Sequence, residues 1–111
     1  MRRVNAIEYK AAGETILTAA LDAYLSTPHS KAELGAIALA GITKQIKKCL
    51  HSHRADDVWA CQLINNYCQH HIKVTLDECA INVYRAAGTA AIEFAETLNF
   101  LNSEERHDLP F

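Results

Sequence analysis

The sequence predicts an all-α protein, a small four-helix bundle with helices over about 5–25, 31–53, 56–72 and 76–102. Apolar residues recur every three or four positions in four separate segments, the spacing of one helical face. No stretch alternates at period two, and no Asn-Gly or Asp-Gly hairpin turn occurs. Neither an internal repeat nor a low-complexity tract interrupts the chain. With 111 residues, the chain predicts a single helical domain over 1–111 that buries roughly two thirds of its unfolded surface. Half the residues are apolar and eighteen are alanine, so the core is expected to rely on small side chains and close helix approach.

The first helix places Tyr9, Ala12, Ile16, Leu17, Ala20 and Tyr24 on one stripe, with Glu8, Thr15, Thr18 and Asp22 opposite. It stops before Pro28, whose ring supplies no amide donor and forces the preceding residue out of helical geometry. Ser30 and Glu33 then stand at capping-box spacing and predict a helix start. The second helix carries Leu34, Ala38, Ile42, Ile46, Cys49 and Leu50, and its Ala-, Gly- and Leu-rich first half predicts cover nearly all round. In the third, Ala60, Cys61, Ile64, Cys68 and Ile72 share one side while Trp59 and Leu63 lie on another, the pattern of a central helix. Thr75 and Glu78 repeat the capping-box spacing before the stripe Leu76, Cys79, Ala80, Val83, Ala87, Ala91, Phe94, Leu98 and Leu101. Residues 103–111, SEERHDLPF, are expected to form a flexible tail.

The junction at 51–55 contains neither glycine nor proline, so an alternative joins helices two and three in one rod. Ile46, Leu50, His53, Asp57, Ala60, Ile64, Tyr67 and His71 keep an unbroken 4,3 spacing along it. Such a rod would require a dimer, since one small chain cannot cover it.

The stretch CLHSHRADDVWAC, 49–61, concentrates zinc-ligand types. If the chain turns between His53 and Asp56, then Cys49 with His53 and Asp57 with Cys61 form two helical pairs facing one another, a candidate tetrahedral zinc site. Structural zinc sites usually show Cys-x-x-Cys knuckles, and none occurs. The competing reading makes the cysteines small core hydrophobes and the histidines and aspartates helix-end partners. The primary expectation is therefore no cofactor, with zinc as the alternative. In a reducing compartment the four cysteines stay thiols, whereas an oxidising one permits three pairings.

SKAELGAIALAGITKQIKKCL, 30–50, resembles a helix-turn-helix, with Leu34, Gly41, Ile42 and Thr43 ahead of a basic helix. The resemblance implies nucleic-acid binding through Lys44, Lys47, Lys48 and Arg54. The Leu34 to Gly41 spacing is longer than the motif's, and Ile46 falls one residue early after Gly41. A single amphipathic helix through Gly41 needs fewer assumptions. The tail RHDLPF resembles peptides that dock on bacterial sliding clamps, with Leu109 and Phe111 as the matching apolar residues and Arg106 where those peptides carry glutamine. Folding of Leu109 and Phe111 back onto the bundle is the competing reading.

No Gly-rich phosphate loop, nucleophile elbow or His-Glu-x-x-His occurs, and the four glycines are scattered singly. The expectation is that the protein is no enzyme. A net charge of −2 excludes a generally polycationic nucleic-acid binder, and the apolar run LGAIALAGI is about half the ~20 residues of a membrane span. No hydrophobic region of a signal peptide follows Met1, so the expected location is cytoplasmic and no membrane is expected as a partner. The functional expectation is a small regulatory or accessory protein of inhibitor, immunity or adaptor type that binds a protein partner. A nucleic-acid-binding regulator using the lysine stripe and a zinc-binding helical module are the alternatives. Trp59, Leu63, Lys44, Lys47, Lys48, Leu109 and Phe111 are the candidate contact residues. The second apolar face at Trp59 and Leu63 further predicts a homodimer.

Overall fold

The computed structural model describes the backbone of residues 6–26, 32–50 and 57–107 and the side chains of 11–26, 33–49 and 58–98. Four helices follow one another: α1 (Ala6–Leu25), α2 (Ala32–Leu50), α3 (Asp57–Val74) and α4 (Glu78–His107). They form a small all-α bundle, as the periodicity predicts, and no strand occurs among the described residues. Neighbours in sequence pack together, α4 closes the ring against α1, and α2 and α4 also touch across the centre. Alpha-helix ends locate the directions. Gly35 at the start of α2 lies against Cys79 at the start of α4 and Tyr24 near the end of α1, while Gly41 meets Tyr67 and Gly88 meets Asn65 and Cys68. The helices therefore run up, down, up, down.

The core follows the predicted stripes. Ala12, Ile16 and Ala20 of α1 meet Ala38, Ile42 and Ile46 of α2, Ala60, Cys61, Ile64 and Cys68 of α3, and the row Val83, Ala87 and Ala91 of α4. All of these are buried. Alanines and Gly88 along α4 keep side chains short where three helices converge on it, which is how a chain with few aromatics fills its interior. Tyr84, absent from the predicted stripe, is also buried.

Several expectations are corrected. α2 and α3 pack side by side. In a continuous rod Leu50 and Asp57, seven residues apart, would be separated by about 10.5 Å along the axis, and the two helices could not touch. The chain must therefore reverse between them, although residues 51–56, His53 among them, lie outside the described residues. The central helix is α4, packed most extensively on α3 and α1, and α3 makes no substantial contact with α1. The first half of α2 is not covered all round, for Leu34 and Ile37 are 49% and 60% exposed. Gly41 sits inside α2 without a positive φ, so the turn of the helix-turn-helix resemblance is absent.

The α3–α4 link shows why the predicted cap misplaced Leu76. The Thr75 amide donates to the His71 carbonyl at 3.1 Å and closes α3. The Asp77 carboxylate then accepts the Ala80 amide at 2.8 Å, and the Asp77 carbonyl accepts the first helical bond from Ile81 at 2.9 Å. Asp77 is thus the N-cap, and Thr75 supports it by accepting the Asp77 amide at 3.3 Å. Leu76 precedes the helix and is fully exposed. At the other end α4 continues to His107, five residues into the expected tail; the remaining tail, Leu109 and Phe111 included, lies outside the described residues. Ser30 of the predicted first capping box also lies outside them. No described helix is long and apolar enough to cross a membrane.

Candidate binding face on helices α2 and α3

Tyr67 anchors the outer side of the α2–α3 pair. Its hydroxyl occupies the space that a β-carbon on Gly41 would take, so this flank of α2 faces α3. Helical spacing then fixes which residues share the seam. On α2, Leu34, Ile37, Lys44 and Lys48 stand seven and four residues before Gly41 and three and seven after it, and all four are exposed. On α3, Leu63, His70 and Val74 stand four residues before Tyr67 and three and seven after it, and exposed Trp59 stands eight before it. Because the helices are antiparallel, Leu34 and Val74 share one end of the seam and Lys48 and Trp59 the other.

The result is two exposed ridges over a half-buried floor. Ile37, Leu34 and Lys44 rise on one side, Val74, His70 and Trp59 on the other, and Leu63, Tyr67 and Gly41 lie between them at intermediate exposure. Trp59 is 52% and Val74 65% exposed. Of the bundle's ring of neighbouring pairs, α2 and α3 are the least extensively packed, which leaves this seam open.

Beneath the seam the aromatic side chains are held firmly. The Tyr84 hydroxyl donates to the Tyr67 oxygen. His71 stacks on Tyr84 with centroids 4.9 Å apart at 15°, and it tilts against Tyr67 at 4.3 Å. Burial pushes the Tyr84 hydroxyl up to about 12, with the Tyr67 oxygen reinforcing the shift, and burial also raises Tyr67. The floor is therefore neutral around pH 7 and fixed by packing against α4.

Of the predicted contact residues, the fold brings Lys44, Lys48, Trp59 and Leu63 to one face. Lys47 lies six residues from Gly41, about 120° round α2, and is exposed away from the seam. Leu34, Ile37 and Val74 complete the face and were not predicted.

The proposed zinc ligands separate differently. Cys49 and Cys61 both belong to the core, whereas His53 and the Asp57 side chain lie outside the described residues. Cys49 accepts from the Gln45 amide nitrogen at 3.7 Å, and burial raises its thiol against the opposing pull of Lys48. A protonated, buried thiol is a poor ligand and a poor nucleophile. Among the described residues no group of three or more His, Cys, Asp or Glu side chains is placed to hold a metal ion. Cys68, paired with His71 in sequence spacing, is fully buried and pushed up to about 12 by that burial. Glu93 and Glu96 are exposed on α4. Compared with protein-family models, with curated proteins and with solved structures, the chain matches none.

Proposed function

We propose that this chain is a small non-enzymatic regulatory or accessory protein of the cytoplasm that binds a protein partner through the α2–α3 face. The observation that carries the reading is that exposed Leu34, Ile37 and Val74 gather toward one end of a single open seam and exposed Trp59 stands at its other end. Exposed apolar side chains scattered singly are ordinary, but a contiguous group rimmed by charge marks an interaction surface. The rigid aromatic floor supports this reading, because a preformed surface loses little conformational freedom on binding.

Capture from the native host tests it. Wild-type protein and an Ile37→Glu/Val74→Glu variant of matched melting temperature would be compared as baits. A protein retained by the first and lost with the second is the expected result. Identical captures from both baits would remove this face from the function.

The lysines favour one second reading, binding to nucleic-acid phosphates through Lys44 and Lys48, whose signature is a steep loss of affinity with salt. A homodimer through the Trp59 face is a third. Sedimentation at micromolar concentration distinguishes it, with a dimer that Trp59→Ala dissociates as the supporting result.

A further inference from the structure

Charge is divided between the two halves of the bundle. Among the described side chains, α2 and α3 carry four lysines, Lys44, Lys47, Lys48 and Lys73, against the single carboxylate of Glu33, leaving three positive charges. α1, α4 and the link before α4 carry Glu14, Asp22, Asp77, Glu78, Glu93 and Glu96 against Arg85, leaving five negative ones. On the seam itself the charges are Lys44 and Lys48 toward the Trp59 end, with Glu33 beside Leu34 at the other, while Lys47 faces away from it.

From this complementarity we infer that the occupant of the α2–α3 seam is an acidic amphipathic helix of a protein partner, a statement that rests on the proposed function and specifies its chemistry. The seam from Leu34 to Lys48 runs about 21 Å along α2, the length of a helix of about fourteen residues. Two ridges over a floor of Leu63 and Tyr67 accept a third helix, whose apolar stripe meets Leu34, Ile37 and Val74 at one end. Toward the other end Lys44 and Lys48 stand on the rim, where carboxylates of the incoming helix would pair with them. A second copy docking by the same face would bring two positive surfaces together. A phosphate backbone would leave the apolar end unmatched. A flat anionic bilayer would meet the ridges but not the floor.

Three stapled fourteen-residue helical peptides test this: one with a leucine stripe flanked by glutamates, one with the glutamates replaced by lysines, and one with glutamines instead. Binding is read by Trp59 fluorescence and by amide chemical-shift mapping of the full chain. The expected result is shifts confined to α2 and α3, the acidic peptide binding at least tenfold more tightly than the basic one, and Lys44→Glu/Lys48→Glu weakening it about tenfold. Equal binding of all three peptides at this face would overturn the acidic assignment while leaving the protein-binding reading intact. Failure of every peptide, with duplex DNA or phosphatidylserine vesicles shifting the same residues, would overturn both. Shifts elsewhere on the bundle would overturn the location.

Discussion

A β-carbon on Gly41 would stand 2.5 Å from the Tyr67 hydroxyl oxygen, so the absence of a side chain at one position of α2 is what admits a tyrosine from α3. An alanine at Gly41 gains about 1 kcal/mol in helix propensity. It must also displace an oxygen that accepts from Tyr84, at a cost of about 0.5–1.5 kcal/mol plus the strain of moving a packed ring. Gly41→Ala should therefore fail to stabilise the protein. In a Tyr67→Phe background the nearest ring carbon lies at an ordinary 3.7 Å, and the same substitution should stabilise by about 0.5–1 kcal/mol. Urea unfolding of the four proteins gives the coupling, and additive effects would mean that Gly41 and Tyr67 do not touch.

Gly35 makes a tighter approach. An added β-carbon would collide with the Cys79 sulfur and reach within 3.1 Å of a Tyr24 ring carbon. Cys79 is fully buried and cannot swing into solvent. Gly35→Ala should cost about 1–3 kcal/mol by overpacking, and Cys79→Ala should restore most of that loss in the double variant. A loss that Cys79→Ala leaves untouched would place the ends of α1, α2 and α4 differently.

The α3–α4 link gives a comparison between adjacent residues. Asp77→Ala removes the carboxylate that caps α4 and should cost about 1 kcal/mol. Leu76→Ala, at a fully exposed position, should leave thermal stability unchanged. If Leu76 proves the costlier of the two, α4 begins earlier and the predicted stripe through Leu76 is restored.

Alkaline pH should destabilise the fold. Cys68 is raised from 9.0 to about 12 and Tyr84 from 10.0 to about 12, both chiefly by burial, so the folded state holds these protons longer than the unfolded chain does. Stability is full below pH 9, where both states are protonated, and falls as pH rises from there toward 12. Cys68→Ala should flatten the decline of melting temperature over that window relative to wild type, after allowance for its lower starting value. An equally steep decline in the variant would assign the effect to other groups. The same buried thiol should resist a disulfide reagent at pH 8 until the protein unfolds.

Much of the fold was legible because helical periodicity is a local property. Ile16 with Ala20, Ile42 with Ile46, Ile64 with Cys68 and Val83 with Ala87 lie on shared faces whatever the rest of the chain does, and all are buried as predicted. The separation of Trp59 and Leu63 from that inner side was legible for the same reason, as was the lysine group of α2. Thr75 and Asp77 show a local ambiguity of another kind: both residue types cap helices, and the competition between them was resolved two residues later than spacing suggested.

Leu34 and Ile37 could not be placed from their own segment, because their exposure depends on where another helix ends. As side chains they are as apolar as Ile42, and only the open packing of α2 on α3 leaves them in solvent. Gly41 likewise carried no local signal, since the tyrosine that needs its empty space is twenty-six residues away. Tyr84 was missed although it stands four residues after Ala80 and three before Ala87, a spacing that put it within reach of the stripe. The period of the chain sets which residues share a face, and the tertiary packing sets which faces are covered. Burial is a property of neighbours from other helices, so the seam between α2 and α3 came into view only when the four helices were assembled.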